Sequence, residues 1–148
     1  MSYRETIAST LLTTLATAAG VSASSRHFTA FDEVAAGDYP YLILMQDLEI
    51  IDPTMQQGGS PAAEHRMQFK VMLYAIGDGT ENTVPATQLN NMLDAIEDAL
   101  RPRGLQSRYQ TLGLSYVMWT VINGPIEYDG GAYGNFGIAV IPIEVAYS

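Results

Sequence analysis

The stretch His65-Arg66-Met67-Gln68-Phe69-Lys70-Val71-Met72-Leu73-Tyr74-Ala75-Ile76 decides the fold. Met67, Phe69, Val71, Leu73 and Ala75 fall at every second position, the period of a strand with one face in a core. The intervening positions change character along the run. Arg66, Gln68 and Lys70 are polar, whereas Met72, Tyr74 and Ile76 are not. One end of this strand is therefore half-solvated, and the other is covered on both sides. Gly77-Asp78-Gly79 ends it.

Downstream, Thr83 is a suitable N-cap and Pro85 is tolerated in a first helical turn, where its missing N–H has no intrahelical role. Leu89, Met92, Leu93, Ile96 and Leu100 then mark one face of a helix, and Pro102 and Gly104 stop it. Two long strand candidates follow. Gln110 to Ile122 alternates Leu112, Leu114, Tyr116 and Met118 with Val117, Trp119 and Val121. Asn135 to Tyr147 places Ala139, Ile141, Ile143, Val145 and Tyr147 on one face. Pro142 lacks a ladder donor, so this strand is expected at an edge or bulged there. Between the two lies Asn123 to Gly134, a connection rich in Gly, Pro and acid.

Upstream, Tyr41-Leu42-Ile43-Leu44-Met45 is an apolar run of strand length, expected to be buried on both faces. Arg26 to Asp38 is expected to hold a short strand. Asp52 to Ala63, with Pro53, Gly58, Gly59 and Pro61, reads as an exposed loop. Ser2-Tyr3-Arg4-Glu5 has the spacing of a capping box, and Tyr3, Ile7, Leu11, Leu15 and Ala18 form a helical stripe that Gly20 closes. The uncharged run from Thr6 to Ser25 is a poor secretory signal, because Glu5 cancels Arg4 and four threonines dilute its apolar character. The order helix, strands, helix, strands gives an α+β fold: one domain over residues 1–148, with a mainly antiparallel sheet and two helices packed on one face.

Composition narrows the function. Sixteen Asp and Glu against seven Lys and Arg leave a net charge of −9. Phosphate affinity comes from clustered cations, so a nucleic-acid reader and a protein docked on anionic lipid are both disfavoured. No run is long enough to span a bilayer. There is no cysteine, hence no thiolate nucleophile and no disulfide.

Motifs for chemistry are equally sparse. His27 and His65 sit in no metal-binding pattern, and Glu64 and His65 point to opposite faces of one strand. Ser115 lacks the glycine that would complete a nucleophile elbow. Lys70, the single lysine, lies mid-strand, so there is no P-loop. Asp78 and Glu81 lack the spacing of a calcium loop. Gly130-Gly131-Ala132-Tyr133-Gly134 precedes a strand and offers no helix N-terminus to a phosphate. Asp94, Glu97 and Asp98 read as a solvated helix face. No catalytic residue, metal ligand or cofactor is expected.

Taken whole, the chain resembles the tail terminator (tail-tube completion) proteins of long-tailed bacteriophages. The resemblance rests on a helix at Ser2 to Ala19, a strand opening Tyr39-Pro40-Tyr41-Leu42-Ile43-Leu44 and a long strand at Arg66 to Ile76. It continues in a helix with Leu-x-x-Met-Leu-x-x-Ile from Leu89 to Ile96 and a closing strand Ile141-Pro142-Ile143-Glu144-Val145-Ala146-Tyr147. It implies a structural virion protein, not an enzyme, at the junction of tail tube and neck. It also implies a homo-oligomer, a hexameric ring, that caps the tube, meets a neck or connector protein and lets DNA pass. Two sets of residues follow as expectations. The loop residues Pro53, Met55, Gln56, Gln57, Gly58 and Gly59 would contact a neighbouring subunit or the tube. Several of Asp94, Glu97, Asp98, Glu127 and Asp129 would face the channel, where carboxylates repel phosphate within roughly 8 Å at physiological salt. The rival readings are another ring-forming neck or head–tail adaptor protein, and a small α+β enzyme.

Overall fold

The computed structural model describes residues 2–52, 63–77, 85–102, 109–133 and 136–148. The alternating stretch forms β3 (Glu64–Ile76), which lies at the centre of the sheet. It pairs antiparallel with β2 (Tyr41–Asp52) on one side and β6 (Phe136–Tyr147) on the other. A short β1 (Ala23–Ser25) runs parallel to the start of β2. On the far side of β6, β4 (Val117–Ile122) and β5 (Glu127–Tyr133) share one sheet position. The helices α1 (Tyr3–Ala19) and α2 (Pro85–Ala99) cover one face. Ile7, Leu11 and Leu15 of α1 and Leu89, Met92 and Ile96 of α2 meet Leu44, Phe69, Val71, Leu73, Ile141 and Ile143 in one core. The fold is α+β, as the order of elements implies.

The caps of α1 follow the sequence closely. Ser2 Oγ accepts from the Glu5 N–H at 3.1 Å, and Gly20, with φ +66°, donates to the Ala16 carbonyl. Half of the expected capping box is missing, because the Glu5 carboxylate reaches Arg26 at 2.5 Å. Thr6, Thr13 and Thr14 each donate to the carbonyl four residues back, which satisfies their hydroxyls inside the helix. Thr83, the expected cap of α2, lies outside the described residues, as do Asp78 and Glu81.

The other sheet face is covered at one end. There Tyr39, Ile43 and Tyr74 are buried, with Phe31, Val34, Met72 and Phe136 packed around them. The Tyr74 hydroxyl donates to the Thr29 carbonyl at 2.7 Å, and burial pushes its pKa up to about 12. The strand expected within Arg26 to Asp38 is absent. This segment instead makes two single 3-10 turns, Phe31–Glu33 and Ala36–Asp38, which roll Phe31 and Tyr39 over the sheet.

Three further expectations are corrected. Of Gln110 to Ile122 only Val117 onward is strand. Gln110 is drawn toward the end of α2, donating to the Ala99 and Arg101 carbonyls and accepting from the Leu112 N–H. Leu112 and Gly113 then turn at positive φ, and Leu112, Leu114 and Tyr116 reach the core without a ladder. The Asn123 to Gly134 connection contains β5. Finally, β6 is neither an edge strand nor bulged against β3 at Pro142. The ladder to β4 ends at Ile143 and the ladder to β5 begins at Val140, so Pro142 stands at the gap between them. Its carbonyl accepts from the Asn123 N–H at 2.9 Å on that side, where a missing proline donor leaves no partner orphaned.

The turn that bridges this gap needs glycine. Gly124 has φ +133°, and a Cβ there would lie 3.1 Å from Pro142 Cγ. Gly124→Ala should therefore destabilise the protein by about 1–3 kcal/mol, through backbone strain and the clash with the ring. Urea unfolding followed by circular dichroism measures this, and an unchanged midpoint would show that the turn relaxes freely.

Candidate functional site

Of the residues singled out in the sequence, the described ones lie on α2 and β5. Pro53, Met55, Gln56, Gln57, Gly58 and Gly59 lie outside the described residues, between the paired ends of β2 and β3 at Asp52 and Glu64. Asp94, Glu97 and Asp98 are exposed on α2, with Arg101 3.8 Å from Asp98. Glu127 is exposed and Asp129 half-buried on β5, a strand that packs against α2. Among the described residues no group of three or more His, Asp or Glu could hold a metal ion. No described helix is long and apolar enough to cross a membrane.

What the structure assembles is the end of the sheet opposite the 3-10 turns, and one extra residue in β2 shapes it. The β2–β3 register shifts between Gln46 and Leu48. Before this bulge Leu42 and Leu44 face the helices. After it the parity reverses, so that Glu49 lies beside Met67 on the helix side while Leu48 and Ile50 point to the uncovered face. Leu48 and Ile50, 53% and 42% exposed, form a short apolar row on the uncovered face, while Ile51, 52% exposed, pairs with His65 on the helix side. Lys70 approaches the bulged Asp47 at 3.8 Å.

Toward the other edge of the uncovered face sits Glu144, a carboxylate only 8% exposed. It accepts from Gln68 Nε2 at 2.6 Å and Trp119 Nε1 at 2.9 Å, with Asn123 Nδ2 at 3.5 Å. These bonds tie β3, β6 and β4 together, because a buried carboxylate must be well supplied with donors. Glu144 was missed in the sequence. The available signal was an indole N–H at Trp119 that needs an acceptor when half-buried.

On the helix side Glu49 forms a second polar knot. Arg4 Nε and Nη2 donate to its carboxylate at 3.0 and 2.7 Å, and His65 Nδ1 lies 3.2 Å from Oε2. Tyr147 stacks on His65, and Tyr3 stacks on Tyr116 with ring centroids 4.0 Å apart. Arg26 adds a second tie by bridging Glu5 and Gln46. The knot clamps the first turn of α1 to the bulged half of β2. The hydrogen bond from Arg4 is the main cause that holds the Glu49 carboxyl below the usual carboxylate range, against the opposing effect of burial, with His65 assisting. A carboxyl with a lowered folded pKa stabilises fully above the unfolded value of about 4.3, and that contribution is lost as pH falls through the folded value. The wild-type chain should therefore lose stability on acidification below about pH 4.3 more steeply than Glu49→Gln. Urea midpoints from pH 6 down to 3 provide the check, and parallel curves would remove Glu49 from the acid response.

No protein-family model matches the chain, and no curated protein matches it. Among solved structures it is similar to a chain in the virion of a native gene transfer agent particle, with a TM-score of 0.53 and 12% identity. The match covers 99% of this chain and 98% of that one, so the two share their fold from end to end.

Proposed function

We propose that this chain is a structural protein of a phage-like virion, not an enzyme, and within the virion a tail terminator. It acts as one domain, forms a hexameric ring on the finished tail tube and presents the opposite surface to the neck or connector. The observation that carries the reading is the end-to-end fold match to a chain of a gene transfer agent virion. The sheet end supports it: an apolar row on β2 is suited to contact, and the half-buried Glu49 knot fixes that half of β2 against α1. The acidic balance agrees with a channel through which DNA passes without being gripped. In this reading some of Asp94, Glu97, Asp98, Glu127 and Asp129 line the channel. The loop containing Pro53, Met55, Gln56, Gln57, Gly58 and Gly59 contacts the neighbouring subunit or the tube. No cofactor and no membrane takes part.

A density map of the assembled particle tests the proposal. It should show six copies in one ring at the tube–neck junction. A ring elsewhere in the neck would favour an adaptor protein instead, and a single copy or no rotational symmetry would refute both. Purified chain should also cap isolated tail tubes. Deleting Met55 to Ser60 should leave the monomer folded yet impair this capping, and normal tails from the deletion would remove the loop from the contact. Lys at the channel-facing acids should slow DNA passage while rings still form. All five acids on the outside of the ring would end that part of the reading.

A further inference from the structure

The two outer strands of the sheet are open at the same end. β1 pairs with Tyr41 to Ile43 and goes no further along β2. On the opposite side, β5 occupies the edge of β6 beside Ile138 to Val140, while β4 lies beside Ile143 to Tyr147. The register across the sheet lines these up. Leu48 pairs with Gln68, Gln68 with Glu144 and Glu144 with Val121. Ile50 leads in the same way through Arg66 and Ala146 to Trp119. The stretch of β2 beyond β1 and the whole of β4 therefore stand at one level, on opposite edges. Among the described residues no strand covers either.

We propose that a second copy of this chain occupies the open β2 edge, its β4 lying antiparallel against Met45–Asp52, so that one sheet continues from copy to copy. The direction follows from topology. β2 and β6 run one way, β3 and β4 the other. A neighbour that keeps its strands in the same directions therefore brings a β4 antiparallel to β2. Charge selects this pairing over β2 against β2. Met45–Asp52 carries Asp47, Glu49 and Asp52 and no cation of its own; although Lys70 and Arg4 from other elements pair with Asp47 and Glu49, two such edges would bring acid beside acid, whereas Val117–Ile122 carries no charge. Apolar surface is present on both partners. On the uncovered face Leu48 and Ile50 of β2 stand level with Val121 and Trp119 of β4, and on the helix side the exposed Ile51 shares the face of a groove of about 350 Å³ beside β4, lined by Leu100, Pro102, Ile122 and Ile126, with Glu97 and Arg101 also on its wall. Thr120, fully buried, also lines it, and its hydroxyl has no partner among the described residues. Because the two edges differ, the contact is heterologous and closes into a ring when the rotation between copies allows. The inference deepens the ring reading and takes from it only the number of copies.

The absence of cysteine makes the test direct. Ile50→Cys and Val121→Cys are purified separately, mixed at high concentration and treated with a short bis-maleimide. The same pair is expressed together and the assembled particles are treated alike. At least tenfold more cross-linked dimer is expected in the mixture, or in the particles, than with either variant alone. Dimer from Ile50→Cys alone would mean that β2 pairs with β2 and would overturn the proposal. So would absence of mixed dimer from both preparations. A third variant, Ile50→Lys, should lose self-association while its thermal unfolding stays unchanged, because the side chain is exposed; undiminished self-association would likewise overturn the edge contact. If the chain proves absent from virions, cross-linking in solution still decides the edge, so the two readings fail separately.

Discussion

One additional residue in β2 sets the character of half the molecule. A strand alternates strictly, so inserting a single position sends every later side chain to the opposite face. Without the shift between Gln46 and Leu48, the even-numbered series Leu42, Leu44, Leu48, Ile50 would continue toward the helices. With it, Leu48 and Ile50 turn outward and Glu49 turns in, beneath the first turn of α1. A half-buried carboxylate still needs donors; Arg4 supplies two, and His65 Nδ1 stands within reach of the same group. The apolar row and the polar knot are thus two results of one backbone irregularity.

Glu144 plays the matching part near the opposite edge. Its two oxygens collect donors from β3 and β4 across the strand that carries it. Such a group is fully satisfied without a cation, and it fixes where β4 sits on β6. The gap at Pro142 then separates the two strands that share this sheet position, and Gly124 threads the chain past the proline ring.

Periodicity made much of the fold legible. Met67 to Ala75, Ile141 to Tyr147 and the stripe from Leu89 to Ile96 are buried at the spacing the sequence shows. The misreadings have physical causes. Leu112, Leu114 and Tyr116 alternate like a strand, yet they reach the core from turns that Gln110 anchors to α2. Glu127 to Tyr133 looks like a loop because of its glycines and acids, and pairing with β6 makes it a strand. Pro142 argued for an edge because the gap between two other strands cannot be seen in a local window. The polar knots were illegible for the same reason, since Arg4, Glu49, His65 and Tyr147 meet only through tertiary contact.

The central ladder also bears on how the protein is made. β3 and β6 join positions roughly 60 to 80 residues apart, whereas β2 and β3 are near neighbours in sequence. Closing a longer loop costs more entropy, so the β2–β3 hairpin is the cheaper structure to form. Until residues 136–147 arrive, such a hairpin has Phe69, Val71 and Leu73 without half of their eventual cover and the β3 edge unpaired. The strand that completes the core is therefore also the one that pairs the open β3 edge, so the interval before it docks is when that edge is available to other chains.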